Sequence, residues 1–256
     1  MDFAVIGGTG FYGLSDEQLL ERIQLPTEFG LVQVERVQLG DQQIAFLARH
    51  GRQHSLPPHR VNYRANIWAL RELGVKNILA SAAVGSMSQG MPPGSLVLLT
   101  QFLDFTRGRP STFFDGGEAE VAHVDMTDPY CPHLRAELQA AAQALGEEVR
   151  RDGTYVCAEG PRFETAAEIR MFRDLGGHLV GMTNVPEVVL AREAGICYAA
   201  VAVVTNWAAG ISKEPLKHKE VSDFMNQQTP RVRALFQQVV TNHTPIPCSC
   251  RSCQTS

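Results

Sequence analysis

An α/β fold, with helices packed on the faces of a sheet, is what this sequence predicts, and three observations carry that reading. Short apolar runs alternate with amphipathic stretches from one end of the chain to the other, as strands feeding helices would produce. The 256 residues, 44% hydrophobic and 20% charged, suffice for one full-sized core. No Pro-, Gly- or Ser-rich linker divides them, and no segment repeats at a period of about twenty to fifty residues. Residues 1–244 therefore read as one domain, and Pro245 to Ser256 as a flexible, cysteine-containing tail.

The elements follow in order. Phe3 to Ile6 is an apolar run stopped by glycines and reads as a buried strand. Gln43 to Leu47, Asn77 to Ala82 and Ser95 to Leu99 repeat that form. Between them, Asn62 to Leu73 has helical spacing, with Asn62 placed to cap it. Thr106 to Asp128 is polar, aromatic and without period, which predicts a long loop of the kind that carries function. Helices at His133 to Leu145, Thr165 to Leu175, Pro186 to Glu193 and Ser222 to Thr241 then alternate with strands at Gly153 to Cys157, Leu179 to Gly181 and Ile196 to Thr205.

Twenty-three Lys and Arg against twenty-seven Asp and Glu give a net charge of −4, so no overall field draws the chain to nucleic acid or anionic lipid. The sequence has no run of about eighteen uninterrupted apolar residues, and its start lacks the basic region and long apolar core of a signal peptide. A cytoplasmic protein without a membrane partner is expected. Cys131, Cys157 and Cys197 lie in or beside apolar stretches, where buried thiols are expected. Cys248, Cys250 and Cys253 form C-x-C-x-x-C near the terminus, a spacing compatible with a metal, a disulfide or a reduced tail.

Two loops have the chemistry of an anion site. Gly7-Gly8-Thr9-Gly10 follows the first strand, so its peptide groups are unobstructed by side chains. A plain turn and a dinucleotide fingerprint fit the same residues. The latter needs a helix, a second parallel strand and an acidic residue about twenty positions on, whereas the chain runs into Leu25-Pro26-Thr27-Glu28-Phe29-Gly30. The second loop, Arg49-His50-Gly51-Arg52-Gln53-His54, gathers donors directly after a strand, and Arg offers a fork that fits phosphate.

Together with Asn62-Tyr63-Arg64-Ala65-Asn66, Glu159-Gly160-Pro161-Arg162-Phe163-Glu164-Thr165, Gly181-Met182-Thr183-Asn184-Val185-Pro186-Glu187 and Thr205-Asn206-Trp207-Ala208-Ala209-Gly210, these loops resemble the trimeric purine nucleoside phosphorylases and the similar methylthioadenosine phosphorylases. The resemblance spans Phe3 to about Val240. It implies a single-domain α/β fold of nucleoside phosphorylase type, with a mixed, partly barrel-like central sheet flanked by helices. It also implies a homotrimer or dimer of trimers, and phosphate attack on the anomeric carbon of a purine nucleoside. No metal or organic cofactor is implied; inorganic phosphate is a co-substrate.

By that resemblance Thr9, Arg49, His50, the backbone at Ala83 and Thr183 hold phosphate, with His50 also catalytic, and Met182 lies against the sugar. Catalytic Asn206 serves the purine N7 and a neighbouring 6-oxo group through its side-chain amide. Phe163 stacks on the base, and Glu164 accepts from an N1–H that adenine lacks. The methylthioadenosine branch has small hydroxyl residues after that Phe and Thr-Asp-x-Asp in the purine loop, so this chain points to a 6-oxopurine such as inosine or guanosine. His218 matches a residue on the 5′-hydroxyl of inosine-using relatives, whereas His123 matches one that methylthio-using relatives bring from a neighbouring subunit. Methylthioinosine and methylthioadenosine phosphorylases are thus the alternatives. A protein that binds a nucleoside or heterocycle without turnover is the alternative of another class.

Overall fold

The computed structural model describes residues 1–11, 18–116, 121–212 and 218–251, apart from the side chains of His218 and Glu220. Nine strands are present in this range: β1 (Phe3–Gly7), β2 (Leu19–Thr27), β3 (Gly30–Leu39), β4 (Gln42–Ala48), β5 (Asn77–Ser86), β6 (Leu96–Phe105), β7 (Val149–Ala158), β8 (Leu179–Gly181) and β9 (Cys197–Trp207). The helices are α1 (Tyr63–Glu72), α2 (Pro132–Leu145), α3 (Ala166–Asp174), α4 (Asn184–Glu193) and α5 (His218–Asn242).

The strands form one mixed sheet in the order β2-β3-β4-β1-β5-β8-β7-β6-β9. Because β9 also pairs with β5, five of them close into a barrel, β5-β8-β7-β6-β9, and β1 to β4 extend from it as a wing. Closure removes sheet edges that would otherwise present unpaired peptide groups. β1 lies parallel to both β4 and β5, and β5 parallel to β9, so these four strands end on the same side. Their apolar runs are buried on both faces, as parallel strands between helix layers must be.

Helices α1 and α4 cover one face, with Ile67, Leu70, Val188 and Leu190 packed on Ala4, Ile78 and Ala200. Helices α2 and α5 cover the other, where Leu134, Leu138, Leu235 and Phe236 meet Val5, Leu79 and Val201. Asn62 caps α1 as expected, accepting from the Ala65 amide at 3.1 Å. Thr165 and Glu168 form a capping box on α3. Among the described residues, no helix is long and apolar enough to cross a membrane.

Two strands exceed the sequence reading. β2 and β3 form an antiparallel hairpin over the stretch Leu25 to Gly30 that the sequence leaves unassigned. Val32, Val34, Val37 and Leu39 are buried while their neighbours are not, and the step of three from Val34 to Val37 breaks the two-residue period. The tail also differs: Cys250 is 2% exposed and Ser249–Arg251 forms a 3-10 turn, so the described part of the segment read as flexible packs on the core. Cys253 lies outside the described residues.

Gly10 closes the first loop against α5. Its φ is 75°, and a Cβ there would stand 2.5 Å from Met225 Cβ. Gly10→Ala is expected to lower the unfolding free energy by about 2–3 kcal/mol, from left-handed strain plus overpacking. Chemical denaturation with an unchanged m-value checks this; a change below 0.5 kcal/mol would mean that the loop relaxes away from α5.

A candidate active site between two diverging strands

β5 and β8 pair only at Gly85↔Val180 and Ser86↔Leu179 before they part. Beyond the last pair, the Thr183 N–H turns to the Tyr155 hydroxyl at 3.1 Å. A cavity of about 360 Å³ opens in this gap. The ends of β1, β4, β5 and β9 supply Gly8, Thr9, Arg49, His50, Ala83 and Asn206 to its wall, and the loops after β7 and β8 supply Phe163, Glu164, Met182 and Thr183. Every phosphate and base residue expected from the sequence therefore lines one cavity.

The remaining expectations fall elsewhere. His123 is exposed and does not line this cavity. His218 begins α5 three residues before Val221, which does line it, but the His218 side chain lies outside the described residues. Of the basic loop, Arg49, His50 and His54 face the cavity, while Arg52 turns outward to pair with Glu35. Trp207 does not line it; its carbonyl accepts from Asn206 Nδ2 at 2.8 Å.

Arg49 is held by a partner that the sequence reading misses. It is 1% exposed, and its Nε and Nη2 each donate to Glu187 at 2.6 Å. Nη1 donates to the Ser81 carbonyl at 2.9 Å. Tyr198 adds a 2.6 Å hydrogen bond to Glu187. Burial opposes the guanidinium charge, but the Glu187 carboxylate outweighs it and holds Arg49 above its usual range. Burial also pushes the phenol of Tyr198 well up, so it remains a donor. Three of the five guanidinium N–H groups are thus committed to protein, within a fully buried side chain. The loop lies so close that a Cβ on Gly8 would meet Arg49 Nη1 at 2.8 Å, while the Gly8 N–H donates to Ser81 Oγ at 3.1 Å. His50 Nδ1 faces the Leu56 carbonyl at 2.8 Å, which fixes the proton on that nitrogen.

On the opposite wall, Asn206 is oriented by neighbours on both sides. Thr205 Oγ1 donates to its Oδ1 at 2.7 Å while its Nδ2 donates to the Trp207 carbonyl. One N–H and one lone pair of the amide are left for a ligand. Glu164 is 9% exposed, and its Oε1 has no hydrogen-bond partner. Burial raises its pKa. A buried carboxylate oxygen without a partner is costly unless a ligand supplies a donor.

Arg109, from the long loop, is a second residue that sequence reasoning misses. Its Nη1 donates to the carbonyls of Met182 at 2.8 Å and Val185 at 2.9 Å, and its Nη2 to those of Glu159 at 2.6 Å and Ala158 at 3.5 Å. It pins the segments after β7 and β8 to each other. The only signal in the sequence is an Arg in a loop otherwise poor in pattern.

The model of the phosphorylase superfamily matches residues 2–241. The chain is 54% identical over 238 residues to a 6-oxopurine nucleoside phosphorylase of Pyrococcus furiosus, covering 91% of this chain and 89% of the relative. It is 49% identical over 253 residues to a probable S-methyl-5′-thioinosine phosphorylase of Methanopyrus kandleri, covering 97% and 96%. Methylthioadenosine phosphorylase from Schistosoma mansoni, solved in complex with adenine, superposes with a TM-score of 0.89 at 34% identity over 93% of this chain and 90% of that one. The chain belongs to the phosphorylase superfamily, in its purine nucleoside and methylthioadenosine phosphorylase family.

Arg49→Ala strands the Glu187 carboxylate in the interior and is expected to destabilise the fold by about 3–5 kcal/mol, read from the denaturant midpoint. A loss below 1 kcal/mol would show that the pair is not buried as described. Glu164 has the opposite sign from a paired carboxylate: its folded pKa is raised, so keeping it charged costs stability. The wild type should lose stability, relative to Glu164→Gln, as pH rises from the unfolded carboxylate range through the raised value. Parallel pH profiles of the two proteins would contradict this.

Proposed function

We propose that the chain cleaves the N-glycosidic bond of 6-oxopurine nucleosides, inosine and guanosine, with inorganic phosphate, releasing free purine and ribose 1-phosphate. Glu164 carries the reading. Its partnerless buried Oε1 shares a cavity with the Asn206 amide, and a 6-oxopurine complements both, with an N1–H donor for Glu164 and an N7 acceptor for the remaining Asn206 N–H. The Pyrococcus furiosus relative named for this activity supports it.

In this reading Thr9, Arg49, His50, the peptide at Ala83 and Thr183 hold phosphate beneath the sugar. The phosphate oxygen bonds to the anomeric carbon as the carbon–nitrogen bond breaks, and the bonding electrons pass to the purine ring. Phosphate charge stabilises the oxocarbenium-like ribosyl group, and the Asn206 N–H at N7 stabilises the leaving base, each stronger in the transition state than before it. Phe163 stacks on the base and Met182 packs on the sugar.

Leu56, Pro57 and Val221 favour a second reading, because they give the same cavity an apolar surface on which a 5′-methylthio group would be buried. The substrate is then methylthioinosine, the base contacts are unchanged, and His218 has no 5′-hydroxyl to meet. Both readings include a homotrimer, in which His123 reaches the cavity of the adjoining protomer.

Phosphate-dependent base release from inosine, guanosine, adenosine, methylthioinosine and methylthioadenosine tests the proposal. Inosine and guanosine are expected to turn over fastest; preference for methylthioinosine transfers the assignment to the second reading, and preference for either 6-aminopurine overturns both. Glu164→Gln should weaken inosine binding by about tenfold to a hundredfold, the range for a hydrogen bond to a charged group. Asn206→Asp should shift preference toward 6-aminopurines, and an unchanged ratio would remove Asn206 from base recognition.

A further inference from the structure

Away from the cavity, four cysteines meet from three parts of the chain. Cys131 is the residue before α2, Cys197 begins β9, and Cys248 and Cys250 belong to the C-terminal turn. Their sulfurs all lie within 4.8 Å of one another, and Cys131 and Cys248 are 3.7 Å apart. Three of the four residues are buried and Cys248 is half-buried. Cys157 stands apart, donating to the Val185 carbonyl at 3.5 Å.

Disulfide chemistry joins sulfurs in pairs at about 2.05 Å, and a thiol packed as a small apolar group needs no sulfur beside it. Four sulfurs converging on one point match a tetrahedral cation instead. Zinc–sulfur bonds of about 2.3 Å place neighbouring ligands about 3.8 Å apart, the separation already reached by Cys131 and Cys248. The set contains only sulfur, which selects a soft or borderline cation over magnesium or calcium. Four protein ligands leave no open position, so the role is structural. The nearby His133, Glu137 and His243 group is different in kind. Glu137 already accepts from His243 at 2.8 Å and from the Thr244 amide at 3.1 Å.

We propose that Cys131, Cys197, Cys248 and Cys250 form a tetrathiolate site for a divalent cation of the zinc type, which fastens the C-terminal turn to α2 and β9. The turn is also tied through Arg251, whose N–H donates to the Cys248 carbonyl at 3.1 Å within the turn and whose Nη2 donates to Asn77 Oδ1 at 3.2 Å. The Cys131 N–H donates to the Tyr198 carbonyl at 2.8 Å, so the two core ligands are already fixed to each other by the backbone.

The test uses the full chain, purified without oxygen or chelator, with metal content measured by mass spectrometry and cobalt(II) titrated into demetallated, reduced protein. One equivalent of zinc per chain is expected, together with the visible bands of tetrahedral thiolate-bound cobalt and their loss on adding zinc. Cys248→Ser and Cys250→Ser should lose both signals, Cys157→Ser should keep them, and phosphate-dependent turnover should survive in Cys248→Ser. Hydrogen exchange over residues 245–251 should quicken when the metal is removed. Reduced wild type that takes up neither cobalt nor zinc overturns the proposal. So does oxygen-free protein lighter by four hydrogens, which holds two disulfides, and so do cobalt bands that persist in both serine variants.

Discussion

The buried pair of Arg49 and Glu187 joins elements that are far apart in the chain, and one wall of the cavity depends on it. Glu187 lies on α4, Arg49 follows β4, and the pair also engages Tyr198 on β9 and the carbonyl of Ser81 on β5. Neither charge is tolerable without the other at 1% exposure. Holding three donors of a planar guanidinium leaves it little freedom to rotate, so its direction is set before any ligand arrives. Preorganisation of this kind is what a site for a strongly hydrated anion requires.

A complementary constraint comes from sheet topology. β5 pairs with β9 along its whole length and with β1 and then β8 along successive parts, and the short pairing with β8 is where the barrel yields. Arg109 ties the loops after β7 and β8 together there, its guanidinium supplying donors that a neighbouring strand would otherwise provide. One wall is therefore held by an ion pair and the other by a side chain acting in place of backbone.

Much of this was legible in the sequence where a local cause existed. Buried parallel strands are short apolar runs, and Phe3 to Ile6 or Cys197 to Val204 can be read directly. Asn62 and Thr165 announce helix starts because capping is a contact over three residues. β3 escaped because the step from Val34 to Val37 breaks its alternation, and β2 because this edge strand has no fully buried residue, exposes Glu21, Arg22, Gln24 and Pro26, and shifts register between Leu19 and Glu21. For the cavity, motif resemblance located Arg49, Glu164 and Asn206, yet the roles of Glu187 and Arg109 rest on contacts 138 and 73 residues distant in sequence. No window along the chain contains them. The cysteines show the same limit: the C-terminal spacing was visible, but Cys131 and Cys197 join it only in three dimensions.

The acceptors of Arg109 are main-chain carbonyls at Ala158, Glu159, Met182 and Val185. A carbonyl survives any substitution at its own residue, so the scaffold of this wall is insensitive to the identity of the side chains it displays. Met182 can change without untying the loop that positions it. A different side chain can thus stand at position 182 while the loop that carries it keeps its place, a separation of placement from chemistry.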